Sequence, residues 1–195
     1  RSTKDLGLSS NETLFNKKGF KSFFNYPLIN SVSSEYLKFY TFHAGFKKKL
    51  DDLLIIIFNK PVKVASAFSK TSTPAAPIIW NKKYNSNFCK ILIVNSGNAN
   101  AYTGLKGIKS INFYTKEISN KFNCPINQIL VSSTGVIGEQ LDYKKIIKTY
   151  NLINEFNNTR MIEAAKAIMT TDTYPKTVLN TSKQSRKKIK FFGFA

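Results

Sequence analysis

Histidine and cysteine are scarce in this sequence. It contains one histidine, His43, and two cysteines, Cys89 and Cys124, among 195 residues. A single histidine excludes a histidine-rich metal site and argues against an ordinary Ser-His-Asp triad without eliminating one. The cysteines form no Cys-x-x-Cys motif, which favours two reduced thiols in a reducing compartment over a disulfide framework. We therefore expect neither a bound metal nor a structural disulfide.

Long hydrophobic runs are also missing. The longest, Leu53–Phe58, has the length of a strand, whereas a membrane helix needs about 20 apolar residues. Residues 1–10 are polar and lack the apolar segment of a secretion signal. The sequence therefore predicts a soluble protein of the cytoplasm that has no membrane partner.

Acidic residues are few, 11 against 30 lysines and arginines, which gives a net charge of +19. Such a charge is typical of proteins that bind nucleic acid or acidic membranes. However, only Arg1, Arg160 and Arg186 are arginines, and arginine makes the bidentate contacts on which nucleic-acid readers depend. The lysines are spread along the chain. We attribute them to compositional drift in an A/T-rich genome and expect no nucleic-acid partner, keeping a basic nucleic-acid-binding module as an alternative.

The hydrophobic pattern predicts a mixed α/β fold in which helices cover layered sheets. Residues 1–40 show little periodicity and are expected to form an irregular N-terminal arm, with one domain over 41–195. Two strands, Leu53–Phe58 and Val62–Phe68, are expected to pair as a hairpin around a turn at Asn59–Pro61. Further strands are predicted at 90–94, at 128–131 and after residue 175, and helices at 107–122, at 142–156 with Asp142 as its cap, and from 158 or 159.

The segment Ile129–Gly138 is the most informative motif. A buried strand gives way to small hydroxyl residues and glycine, which leaves backbone N–H groups accessible at the edge of a sheet. The Thr134 hydroxyl and the Gly135 N–H could hold the oxyanion that forms during acyl transfer. A phosphate-binding turn or an ordinary strand end would give the same pattern, and the residues alone leave these alternatives open.

Two other stretches have the same small, polar character. Asn95–Ala101 follows a strand and is either a wall of a binding site or a tight structural loop, because asparagine tolerates left-handed backbone. In Thr170–Thr173, a Thr170 hydroxyl could hold the carboxylate or amine of a substrate, although such residues also commonly end helices. No nucleophile paired with a base is evident anywhere in the chain.

Three motifs, Asn95–Ala101, Ser133–Gly138 and Ala167–Thr173, together and in this order resemble those of the ornithine acetyltransferase family, the bifunctional glutamate N-acetyltransferases of arginine biosynthesis. The resemblance runs from about residue 43 to the end and includes His43–Lys47, Ala75–Pro77, Asn95–Ala101, Ser133–Gly138 and Ala167–Thr173. It implies the αββα-type architecture of these self-processing enzymes and of related N-terminal-nucleophile-like hydrolases. Residues 41–195 would then be the α-chain portion of the acetyltransferase domain.

The resemblance also implies a mechanism. Family members cleave themselves before a threonine into α and β chains that assemble as α2β2 heterotetramers. The new terminal threonine is the nucleophile, with its own amine as base. It takes acetyl from N-acetylornithine and passes it to glutamate by a ping-pong route. By motif matching, Thr134 and Gly135 form the oxyanion pair and Thr170 contacts substrate. No cofactor is implied, but some members also use acetyl-CoA as a co-substrate.

The sequence departs from the family pattern in three respects. Tyr102 replaces a common cysteine, the residues before His43 diverge, and the chain stops at Ala195. In the family a Lys-Gly-x-Gly-Met stretch with a substrate-binding lysine, and then the cleavage-site threonine, would follow. We therefore expect a truncated α chain that is inactive alone. An N-terminal-nucleophile amidase or aminopeptidase is the alternative enzyme.

Overall fold

The computed structural model describes residues 36–84, 87–154, 158–184 and 187–195, so most of the predicted N-terminal arm lies outside the described residues. The elements in chain order are β1 Leu37–Phe42, β2 Leu53–Lys63, α1 Ala76–Tyr84, β3 Phe88–Asn98, α2 Gly104–Phe122, a 3-10 turn at Ile126–Gln128, β4 Ile129–Val136, α3 Tyr143–Tyr150, α4 Met161–Ile168, β5 Thr177–Gln184 and β6 Lys187–Phe194.

Strands β1 to β4 form one sheet in the order β1-β2-β3-β4, and β5 and β6 pair separately as an antiparallel hairpin. β2 is antiparallel to both of its neighbours, whereas β4 runs parallel to β3. A parallel pair needs a crossover, and α2 supplies it. In this register Leu53 lies beside Phe42 and Asn95, and Asn95 lies beside Ser133. The loops that follow β1, β3 and β4 therefore share one end of the sheet.

Alternate residues of each strand face opposite sides of the sheet, and both sides are covered. Leu53 and Ile55 face α1, α2 and α3, and Leu54 and Ile56 face α4. On the α4 side the rings of Phe194, from β6, and Phe39 pack edge to face, with their centroids 5.8 Å apart. The predicted mixture of helices and layered strands is confirmed. No helix of the described ranges is long and apolar enough to cross a membrane.

One predicted hairpin is wrong. β2 continues from Leu53 to Lys63 through Pro61, residues 64–70 form no strand, and the hairpin partner of β2 is β1. Pairing with β3 is interrupted between Ile57 and Val62. Proline has no N–H to donate, so a strand tolerates it where the ladder is broken. Because β1 begins at Leu37, the predicted boundary at residue 40 falls inside the sheet.

Other local predictions agree more closely. The Asp142 side chain accepts a hydrogen bond from Lys144 N at 3.1 Å and caps α3, as predicted, but that helix ends at Tyr150 instead of continuing to 156. Both cysteines are free and buried, as expected. Burial raises the pKa of the Cys89 thiol to about 11, so this thiol is protonated and poorly nucleophilic at neutral pH.

The loop after β1 is folded around the buried carboxylate of Asp52. This carboxylate has no exposed surface, and the backbone N–H groups of Ala44, Gly45, Phe46 and Lys47 donate to it at 2.7, 3.1, 2.6 and 2.7 Å. Burying a carboxylate is costly unless it is hydrogen-bonded, and bonds to a charged acceptor are roughly twice as strong as neutral ones. Asp52 therefore fixes residues 44–47 across the end of the sheet.

We expect Asp52→Asn to lower the free energy of unfolding of the full-length protein by about 3 kcal/mol, because the amide removes the charge and turns an NH2 group toward N–H donors. Urea denaturation measures this change. Asp51→Asn is the matched control, since Asp51 is the exposed neighbour, and it should change the stability by less than about 0.5 kcal/mol. Equal effects of the two substitutions would contradict the role given to Asp52.

Candidate active site

The parallel pairing of β3 with β4 brings two of the predicted motifs together. Ser96 lies opposite Thr134 and Gly97 lies opposite Gly135. Beyond the ladder, Ala99 N donates to Val136 O at 2.8 Å, and Gly138 N donates to Ala101 O at 2.9 Å. The segments 95–101 and 133–138 therefore form one continuous wall at the end of the sheet.

The asparagines of this wall are engaged in internal hydrogen bonds. Asn95 Nδ2 donates to Asn98 O at 2.7 Å, and Asn95 Oδ1 accepts from Ser133 Oγ at 2.6 Å. Asn98 Oδ1 accepts from Asn100 N at 2.8 Å, and Asn100 Nδ2 donates to Gly107 O at 3.2 Å. All three asparagines are buried, and Asn100 has a φ of 45°. These amides shape the loop, which supports the structural alternative for them.

Glycine is required where the two strands and the Asp52 loop meet. Gly135 has a φ of 130°, and a Cβ there would lie 2.4 Å from the carbonyl carbon of Gly97. Gly97 has a φ of 101°, and a Cβ there would lie 2.8 Å from the carbonyl oxygen of Phe46. Neither conformation suits a residue with a side chain. The backbones can approach this closely only because both residues are glycine.

The strand geometry directs the Gly135 N–H toward the free edge of the sheet. At that edge the Asn81 side chain of α1 accepts from Val131 N at 3.1 Å and donates to Val131 O at 2.8 Å. Backbone groups of alternate residues point the same way along a strand, so the N–H groups of Ser133 and Gly135 share the direction of Val131. In agreement, the Val136 carbonyl points the other way and accepts from Ala99 on the β3 side.

The Thr134 hydroxyl has no hydrogen-bond partner within the described ranges. Its side chain is half-buried and lies on the same face of the sheet as Ser96 and as the exposed Ser132. Thr134 and Gly135 therefore present a hydroxyl and an N–H from consecutive residues at one open corner. Two such donors are what an oxyanion site requires.

Thr170 is exposed and follows the C-terminal end of α4. That end is attached to the sheet, because the Ala167 carbonyl accepts from Ser96 Oγ at 2.5 Å and from Lys47 Nζ at 3.0 Å. Ser96 is itself the neighbour of Thr134. The structure thus brings Thr170 to the same end and face of the sheet as Thr134, but no hydrogen bond between described atoms joins the two threonines.

Sequence reasoning missed the residues that organise this corner, namely Asp52, Lys47 and Asn81. Their roles are hydrogen bonds to backbone atoms, within a short loop for Asp52 and between distant residues for Lys47 and Asn81, and such bonds leave no periodic pattern in the sequence. The one available signal was Asp52 itself. A buried strand begins directly after it, and the sequence has only 11 acidic residues, so an acidic residue at that position required a partner.

Solved structures with a similar fold define the class of this protein. The arginine biosynthesis bifunctional protein argJ from Bacillus halodurans matches with a TM-score of 0.76 and 27% identity, over 84% of this chain and 87% of that chain. Ornithine acetyltransferase from Mycobacterium tuberculosis, solved with ornithine, matches with a TM-score of 0.72 and 25% identity, over 84% of this chain and 89% of that one. The fold is thus the N-terminal-nucleophile type of the ornithine acetyltransferases, which confirms the predicted fold class.

The ArgJ family model matches residues 38–195, and the chain belongs to the ArgJ family. It is 38% identical over 167 residues to the arginine biosynthesis bifunctional protein ArgJ of Agrobacterium fabrum (strain C58), covering 83% of this chain and 39% of the relative. For the protein of the same name from Rhizobium meliloti (strain 1021), the identity is 34% over 178 residues, which cover 90% of this chain and 42% of the relative. The chain thus spans about two fifths of the length of these relatives. The family predicted from the motifs is confirmed.

We expect Gly135→Ala to lower the free energy of unfolding of the full-length protein by about 3–4 kcal/mol, because its Cβ would meet backbone atoms that cannot move aside. Gly138→Ala is the matched control. Gly138 also has a positive φ, 88°, but has open space around its Cβ position. Gly138→Ala should therefore introduce backbone strain alone and lower the free energy of unfolding by about 1–2 kcal/mol. Calorimetric melting compares the two, and an equal loss would show that the approach to Gly97 is unimportant.

Proposed function

We propose that this chain is the α-chain portion of an ornithine acetyltransferase, a glutamate N-acetyltransferase that moves acetyl from N-acetylornithine to glutamate in arginine biosynthesis. The observation that carries the proposal is the corner formed by the Thr134 hydroxyl, which has no partner among the described residues, and the outward-directed Gly135 N–H. Membership of the ArgJ family supports the same reaction. In this proposal the two residues stabilise developing negative charge, and no base is hydrogen-bonded to the Thr134 hydroxyl among the described residues to activate it as a nucleophile.

The nucleophile in this proposal is a threonine outside residues 1–195. Its oxygen attacks the acetyl carbonyl of N-acetylornithine, and the resulting oxyanion accepts hydrogen bonds from Thr134 Oγ1 and Gly135 N. Collapse of the intermediate breaks the C–N bond, and ornithine leaves with the proton taken from the threonine. In the second half, the glutamate amine attacks the acetyl ester and the threonine oxygen regains a proton. The α-amine of the nucleophile carries the proton in both halves.

The lengths of the similar proteins support a precursor that is cut into two chains. This chain covers 39% of the Agrobacterium fabrum protein but 87% and 89% of the two solved chains. Those solved chains are therefore less than half as long as the curated relative. We accordingly propose that the nucleophile begins a β chain of the same precursor, and that the two chains assemble as an α2β2 heterotetramer in the cytoplasm.

Thr170 is the proposed contact for the amino-acid part of the substrate. Its exposure and its place beside the Thr134 corner support this role, and the Mycobacterium tuberculosis relative was solved with ornithine. Acetyl-CoA as an alternative acetyl donor stays a prediction.

The reaction is tested by giving the full-length protein N-acetylornithine labelled in the acetyl group, with and without glutamate. We expect labelled N-acetylglutamate and free ornithine in equal amounts when glutamate is present, because acetyl transfer conserves the acetyl group. Release of labelled acetate at the same rate without glutamate would instead indicate an amidase of the same fold. Residues 1–195 alone should give neither product, since they hold no nucleophile in this scheme.

We expect Thr134→Ala in the full-length enzyme to lower kcat roughly 100-fold and to leave KM nearly unchanged, because an oxyanion donor acts mainly in the transition state. Thr134→Ser keeps the hydroxyl and should retain most of the activity. Ser132→Ala is the control, since Ser132 lies two residues earlier on the same face and is exposed. A large rise in KM at normal kcat would reassign Thr134 to binding of the substrate ground state.

A further inference from the structure

We propose that Ser96 and Lys47 are positioning residues that set the place of Thr170 relative to Thr134. The inference rests on the proposed function, in which Thr134 faces the acetyl oxygen and Thr170 faces the amino-acid part of the same substrate. Both donors meet at the Ala167 carbonyl, in the last turn of α4. That carbonyl is the point from which the chain leaves the helix toward Thr170.

Ser96 lies between the segments that carry the two threonines, and it contacts one through its hydroxyl and the other through its backbone. It is fully buried, and its hydroxyl donates to Ala167 O at 2.5 Å across 71 residues of sequence. On the other side, Ser96 is the β3 residue directly opposite Thr134 in the parallel ladder. Ser96 therefore contacts both the strand that carries Thr134 and the end of α4.

Lys47 supplies the second donor to the same carbonyl. Its ammonium lies 3.0 Å from Ala167 O and 3.3 Å from Asp51 O, and its own backbone N–H is bound by Asp52. Desolvation lowers the pKa of this lysine, and the nearby charges of Asp52 and Asp51 oppose that shift. A cation at the carbonyl end of a helix is favourable. The Asp52 loop holds the backbone of Lys47, and the Asp51 and Ala167 carbonyls hold its ammonium.

The end of α4 needs such an anchor. The helix has eight residues, and Met169 directly after it has an extended backbone with φ −61° and ψ 142°. The direction in which the chain continues to Thr170 therefore depends on how the last turn is oriented. Short helices fray at their ends unless tertiary contacts hold them. With either donor removed, Thr170 would lose its defined distance from the oxyanion corner, whereas the β3–β4 ladder would still hold Thr134.

This arrangement predicts a kinetic signature that differs from simple destabilisation. In the full-length enzyme we expect Lys47→Met or Ser96→Ala to raise KM for N-acetylornithine roughly 10-fold, with kcat changed less than about 3-fold, because ground-state contacts to the amino acid are lost while the oxyanion donors stay in place. Lys47→Arg keeps a cation that can reach the carbonyl and should restore KM to within about 3-fold. Lys48→Met, at the exposed neighbour, should match the wild type.

A double-mutant cycle with Thr170→Ala is the decisive measurement. If Lys47 acts through Thr170, Lys47→Met should raise KM by less than about 2-fold once the Thr170 hydroxyl is gone. Full additivity of the two effects would overturn the proposal, as would equal KM values for Lys47→Met and Lys48→Met. If Lys47→Met does not fold, Ser96→Ala carries the same cycle. A wild-type enzyme unable to transfer acetyl from N-acetylornithine overturns the proposed function, whereas an active wild type with an unaffected Lys47→Met variant overturns the positioning role alone.

Discussion

The buried Asp52 carboxylate is the interaction on which the rest of this structure depends. Four backbone N–H groups of residues 44–47 converge on it, so the charge is retained inside the protein only while that loop is closed. The closed loop places the Phe46 carbonyl oxygen 2.8 Å from the position that a Cβ of Gly97 would take, and Gly97 in turn lies against Gly135. The Asp52 carboxylate is thus linked, through Phe46 and Gly97, to the close approach of β3 and β4 at Gly135.

Polar groups at the end of the sheet divide into two kinds. Those of Asn95, Asn98 and Asn100 are buried and are bonded to backbone atoms or to the hydroxyls of Ser133 and Thr103, which gives a rigid wall. By contrast, the Thr134 hydroxyl has no partner within the described ranges, and the alternation along β4 directs the Gly135 N–H away from β3. Rigid, preorganised donors stabilise a developing charge without reorganising during the reaction. In the proposed function, the bonded asparagines would hold the Thr134 and Gly135 donors in place without touching the substrate themselves.

The sequence allowed the layered α/β class, the Asp142 cap, α2 and the family to be predicted, because these depend on local patterns and on motif order. It led to the wrong partner for β2, since Pro61 looks like a turn residue and only the interrupted ladder explains its place in a strand. The Lys47 and Ser96 bonds to Ala167 could not be predicted. Lys47 is 120 positions from Ala167 in the sequence, and Ser96 is 71 positions from it. No periodic pattern indicates which carbonyl a distant side chain will reach.

An edge strand exposes unpaired backbone groups, and proteins usually cover such edges to prevent aggregation. Here the coverage is selective. The Asn81 amide satisfies both backbone groups of Val131 in the middle of β4, whereas the exposed turn from Val136 to Gly138 follows Gly135 without a helix over it. The Asn81 bonds leave the backbone groups of Val131 unable to pair with a strand of another molecule. Leaving it open at Gly135 gives the N–H access to an oxygen from outside the chain, and in the proposed function that oxygen belongs to the acetyl group.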